Sequence, residues 1–193
     1  MGITPKTRLT VEEYLELERT SETRHEYLDG EVFEMVGARE NHTLIIGNLV
    51  AVLHPQLRRP LCRLYQIDMR VKVSATGLYT YPDVVVRCGT PEFEGSGRAT
   101  LLNPTLIIEV LTPSTEAYDR GDKFRHYRAI PTLQEYVLIS QNNPRIERYL
   151  RQNDNTWLFT DATGLDAELE LPSIGCTLPL ARVYKQVDFE AQD

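Results

Sequence analysis

Hydrophobic and polar positions alternate along the chain between helical and strand periodicity. Residues 10–19 predict a short helix: Thr10 and Glu13 have capping-box spacing, and Tyr14, Leu15 and Leu17 supply apolar contacts. Residues 25–36 predict a hairpin turning at Asp29-Gly30, a pair suited to the positive backbone angles of a type I′ turn. Over 40–57, Ile45, Leu49, Val52, Leu53 and Gln56 recur at helical spacing, and Pro60 lies just beyond. From Tyr65 the pattern changes to strict alternation. Tyr65, Ile67, Met69, Val71 and Val73 share one face and Gln66, Asp68, Arg70 and Lys72 stand between them, which predicts one half-buried strand. Residues 74–80 read as a turn and 81–87 as the next strand. Residues 88–104, rich in Gly, Pro and Ser, form a loop long enough to act as a mobile flap.

Residues 105–111 are a nearly continuous apolar run closed by Pro113, the pattern of a strand covered on both faces. A helix over 116–128 follows, stopped before Pro131. Strands over 135–140, 145–151 and 156–160 come next, and short strands with Pro-bounded turns from 168 on. No repeat or linker interrupts the chain. The expectation is one α/β domain over 1–193, with a motif-bearing core over 10–150 and a β-rich C-terminal part over 151–193.

Composition narrows the function classes. The 193 residues suffice for a substantial core, and 41% hydrophobic with 25% charged residues is ordinary for a water-soluble protein. A net charge of -7 argues against a passive nucleic-acid coat, whose affinity rests on a basic surface, but leaves room for a nuclease with a local basic strip. Cys62, Cys88 and Cys176 are far apart and odd in number, and no CxxC pair exists. They predict neither a zinc ribbon nor a disulfide framework, but free thiols in a reducing compartment. The first residues carry no apolar signal region and no run reaches membrane-spanning length, so a cytoplasmic protein without a membrane partner is expected.

Glu109 is the residue that calls for chemistry. It is the single acid in Leu106-Ile107-Ile108-Glu109-Val110-Leu111, and an ionised carboxylate in a buried strand is costly unless paired; a metal ion is a common partner. Asp83 opens a second apolar run after Pro82. Alone it reads as a turn cap. On neighbouring strands, however, the two acids form a hard-oxygen pair suited to magnesium or manganese. Lys123 reads either as a surface partner of Asp119 at helical spacing or as a cation steadying a phosphate near that pair. Tyr127 lies one turn on, on the same side. Glu26 and Glu31, flanking the hairpin turn, are rival further acids, and His42 at a helix start reads as a cap or a buried hydrogen-bonding group. No histidine pair has zinc spacing.

Taken in order, His25-Glu26-Tyr27-Leu28-Asp29-Gly30-Glu31, His42, Pro82-Asp83, Ile108-Glu109-Val110-Leu111-Thr112-Pro113-Ser114-Thr115, Lys123 with Tyr127, and Glu135-Tyr136 resemble the Uma-type restriction-endonuclease family of the PD-(D/E)XK nuclease superfamily. The resemblance implies a restriction-endonuclease-like mixed central β-sheet flanked by α-helices. It also implies cleavage of DNA phosphodiester bonds with Mg2+ or Mn2+, held by Asp83 and Glu109, with Glu26 nearby. One departure stands out. The superfamily's lysine falls two residues after the acid, where this chain has Leu111, so the lysine's part passes by displacement to Lys123. A homodimer would suit double-strand cleavage, with the hairpin edge over 145–160 as one surface. The rivals are a catalytically silent binding module that keeps the fold, and a metal hydrolase with another substrate.

Overall fold

A computed structural model of the chain describes residues 8–35, 37, 39–57 and 62–189. In chain order these residues form α1 (Val11–Thr20), β1 (His25–Leu28), β2 (Glu31–Glu34), α2 (Glu40–Leu53), β3 (Cys62–Gln66), β4 (Arg70–Val73), β5 (Leu78–Thr80) and β6 (Val84–Cys88). They continue with β7 (Thr100–Leu101), β8 (Leu106–Val110), α3 (Glu116–Tyr118), a π-helical turn (Asp119–Lys123) and α4 (Phe124–Tyr127). The last elements are β9 (Glu135–Ile139), β10 (Arg145–Arg151), β11 (Trp157–Thr163), β12 (Glu168–Leu171), β13 (Cys176–Pro179) and α5 (Leu180–Val183).

The central sheet runs β11-β10-β9-β8-β6-β3. It is mixed: β8 pairs parallel with β9 and antiparallel with β6. All five residues of β8 are buried, as its apolar run requires. On one face Ile108 and Val110 pack with Val84, Val86, Val137 and Ile139 against Ile45, Leu49 and Leu53 of α2 and Val183 of α5. On the other face Ile107 and Leu111 pack with Val85, Tyr136 and Leu138 against Phe124 and Tyr127 of α4. That second core also takes in Val71 and Val73 of a five-stranded sheet ordered β2-β1-β5-β4-β7. The result is the α/β fold expected, a mixed sheet flanked by helices with restriction-endonuclease-like architecture.

Local signals explain the front of the chain. The Thr10 hydroxyl accepts from the Glu13 N–H (3.2 Å) and the Glu13 carboxylate from the Thr10 N–H (2.7 Å), a complete capping box. Asp29 and Gly30 take φ of 51° and 86°, the left-handed pair that a tight hairpin turn needs.

Several expectations need correction. The predicted single strand over 65–73 is two strands in two different sheets, because the chain turns at Ile67 and Asp68 (φ 39° and 64°). The alternation puts Ile67 on the apolar face, yet it is 57% exposed. Residues 78–80 are a strand rather than part of a turn. The loop over 88–104 is pinned, not free: β7 adds to β4, the Glu94 N–H donates to Thr100 O (2.9 Å), and Asn103 is buried, donating to Thr90 O (3.1 Å) and accepting from the Glu92 N–H (2.9 Å). The helix over 116–128 carries a π turn in its middle, and α2 ends at Leu53 rather than at 57. Cys62 and Cys88 are not free thiols. They face each other on paired strands β3 and β6 and form a disulfide, while Cys176 is buried outside it. Spacing along the chain does not reveal which cysteines antiparallel pairing will set side by side. The starting segment, Val36 and Pro60 lie outside the described residues. Among the described residues no helix is long and apolar enough to cross a membrane.

Candidate functional site

β8 positions Glu109 by strand alternation. With Ile107 and Leu111 on the α4 side, Glu109 must face the same way, toward α4 and the five-stranded sheet. There it meets Lys123, whose ammonium lies 3.0 Å from Glu109 Oε1. The same ammonium lies 3.1 Å from Glu26 Oε1 on β1 and 3.4 Å from Asp119 Oδ1. The Tyr127 hydroxyl donates to Glu109 Oε1 (2.8 Å), and the Thr80 hydroxyl donates to Glu26. Glu109, Asp119 and Lys123 are all at most 5% exposed.

Asp83 stands just before β6, next to Glu109. Its N–H donates to Glu109 Oε2 (3.4 Å), and its own Oδ2 accepts from the Val110 N–H (2.7 Å). His42, near the start of α2, brings Nε2 within 3.2 Å of Asp83 Oδ1. Five separate elements thus converge on two neighbouring acids. Lys123 and Asp119 reach them from the π turn, a conformation that carries one extra residue and is frequent at functional sites.

Burial sets the electrostatics. It raises the Glu109 carboxyl well above its ordinary value, with the Lys123 ammonium opposing and Asp119 and Asp83 adding to the rise. Burial likewise raises Asp119, again opposed by Lys123. For Lys123 burial works downward, but Glu109, Tyr127, Glu26 and Asp119 outweigh it, and the amine is held well above its usual range. Tyr127 is raised by burial and by the Glu109 charge, so its hydroxyl remains a donor. The site is one fixed cation among an excess of carboxylates.

The sequence reading named Glu26, His42, Asp83, Glu109, Lys123 and Tyr127, and the structure brings all six together. Glu26 lies at Lys123, and Glu31 stands on β2 of the same hairpin. Glu31 pairs with Leu28, two cross-strand pairs nearer the hairpin turn than Glu26 with Phe33. Asp119 and Thr80 were missed as site members. Asp119 carries a signal, its helical spacing to Lys123, which fits a surface pair equally well; Thr80 lies inside a stretch that predicts a turn.

Among the described residues no group of three or more His, Cys, Asp or Glu side chains is arranged to hold a metal ion. A hard divalent cation of the magnesium type asks less, one or two carboxylates with water completing its shell. Asp83 and Glu109 supply two carboxylates on adjoining backbone, so the donor chemistry fits such an ion.

The fold is of the nuclease-like α/β class. The chain belongs to the Uma2 family, whose model, described as "Putative restriction endonuclease", matches residues 11–181. It is 37% identical over 185 residues to "Uncharacterized protein slr1290" of Synechocystis sp., covering 96% of both chains. It is 37% identical over 162 residues to "Uncharacterized protein sll1609" of the same organism, covering 84% of this chain and 92% of that one. Its fold is similar to the crystal structure of a "putative nuclease belonging to DUF820" from Anabaena variabilis, with a TM-score of 0.71 at 20% identity over 93% of this chain and 99% of that chain.

Proposed function

We propose that this chain is a divalent-metal-dependent endonuclease that hydrolyses DNA phosphodiester bonds. The observation that carries the reading is the placement of the buried Lys123 ammonium against Glu109 (3.0 Å), while the Asp83 N–H reaches the other oxygen of the same carboxylate (3.4 Å). Such an arrangement is expensive for stability alone, because its carboxylates outnumber its cation. Asp83 and Glu109 would hold magnesium or manganese, which when bound acidifies a water and offsets phosphate charge.

The chain's own groups then have distinct parts. Lys123 keeps its proton at neutral pH and offers a fixed positive charge to a phosphate oxygen. Glu26, bonded by Thr80 and Lys123, holds that ammonium in place from the β1 side. Tyr127 fixes the orientation of Glu109, and His42 with the Val110 N–H fixes that of Asp83. The test is cleavage of plasmid DNA with magnesium by the wild type and by Glu109→Ala, with manganese titrated calorimetrically into both. Cleavage and manganese binding by the wild type alone support the reading; equal cleavage by both, or none by either, counts against it.

A silent binding module with the same fold is the second reading. The engagement of Glu109 Oε1 by both Lys123 (3.0 Å) and Tyr127 (2.8 Å) favours it. A wild type that binds no manganese would decide for it.

A further inference from the structure

The residue that strand alternation misplaces is Ile67. It is 57% exposed, has a φ of 39°, and is followed by Asp68 at 64°. A β-branched side chain is among the worst occupants of left-handed backbone, where Gly or Asn is the ordinary choice. Burial does not compensate here, because the side chain stands largely in water. Two contacts tie the turn to its surroundings. The Ile67 N–H donates to Asp83 O (3.3 Å), and the Arg24 guanidinium pairs with Asp68 Oδ1 (2.8 Å). One anchor is therefore the residue that carries the Asp83 carboxylate. The other immediately precedes β1, which carries Glu26. An exposed apolar side chain is fixed at the junction of two acid-bearing segments. Local choices that oppose both backbone preference and solvation persist where a ligand uses them.

We propose that Ile67 is an apolar wedge that packs against an unstacked base of duplex DNA beside the cluster of Asp83, Glu109 and Lys123. The proposal rests on the nuclease reading above. Isoleucine is one of the side chains that proteins insert between base steps, and it needs the qualities seen here: apolar character, exposure and a rigid mount. Asn or Gly would relax the turn but could not keep water from the face of a base.

The experiment uses the full chain and duplex DNA carrying 2-aminopurine at successive positions, with calcium in place of magnesium so that the acids are neutralised while cleavage is suppressed. Wild type, Ile67→Gly and Ile67→Leu are compared for 2-aminopurine fluorescence, DNA affinity and thermal midpoint. The wild type and Ile67→Leu should brighten one position, the mark of unstacking. Ile67→Gly should lose that signal and bind on the order of tenfold more weakly, the size of a lost base contact, while its thermal midpoint rises because glycine accepts the left-handed backbone. A merely structural Ile67 would not move the fluorescence. Unchanged unstacking by Ile67→Gly overturns the wedge and leaves the exposed side chain to a protein contact. A wild type that neither binds the duplex nor, with magnesium, cleaves it overturns the wedge and the nuclease reading together.

Discussion

The Lys123 ammonium lies 3.0 Å from Glu109 Oε1, although the residue two positions after Glu109 is Leu111. Strand alternation puts Leu111 on the same face as Glu109, in the core with Phe124 and Tyr127. A lysine there would have to bury its stem and charge among aromatic rings. The helix that follows brings the cation in from above the sheet instead, with Asp119 beside it.

Lys123→Met removes the only cation bonded to Glu109 in the described cluster and leaves buried carboxylates unpaired. Its unfolding free energy should fall by about 3–5 kcal/mol, measured by urea denaturation at pH 7. A cost below about 1 kcal/mol, typical of exposed pairs, would show that water reaches the cluster freely.

Glu109→Gln should be more stable than the wild type at neutral pH and lose that advantage in acid. The folded pKa of Glu109 is raised above 4.5. Its contribution to stability is therefore complete below pH 4.5 and is lost as pH rises through the raised folded value. Glutamine keeps the shape and has no charge to bury. Thermal midpoints from pH 4 to pH 9 check this, and parallel profiles for the two proteins would rule it out.

Tyr127→Phe deletes the donor to Glu109 Oε1 (2.8 Å) without changing ring packing against Tyr136. Stability should drop by about 1–3 kcal/mol, the cost of an unsatisfied buried acceptor. DNA cleavage should fall with it if Tyr127 orients the carboxylate. Full cleavage at unchanged stability would remove Tyr127 from the site.

Reduction of the Cys62–Cys88 disulfide, or Cys62→Ser, should lower stability by about 3 kcal/mol, the loop-closure contribution expected for a separation of 26 residues. Denaturation with and without reductant measures it. Identical midpoints, with both thiols shown by alkylation to be free at the outset, would mean that the bond does not form in solution.

Much of the site was legible in the chain because its signals are local. An acid inside an apolar strand, an acid after Pro82, and a lysine with a tyrosine one turn on stand out in any reading of Asp83, Glu109, Lys123 and Tyr127. Glu26 and Glu31 could not be separated that way, since both flank the same turn. The structure puts Glu26 Oε1 3.1 Å from Lys123, a contact across 97 residues that no local pattern announces. Asp119 does not stand out in the chain, because helical spacing to Lys123 does not tell which side of the helix is covered.

Period and punctuation in the sequence determined the capping box at Thr10, the Asp29-Gly30 turn, the buried β8 strand and the class of the fold. Those features depend on neighbours a few residues apart, where sterics and hydrogen bonding act directly. Tertiary structure alone decided which strands share a sheet, and so that the 65–73 stretch breaks at Ile67, that Cys62 meets Cys88, and that Glu26 meets Lys123. Each of these is a contact between residues distant in sequence. Such contacts are set by how apolar faces stack and strands pair, which no local pattern encodes.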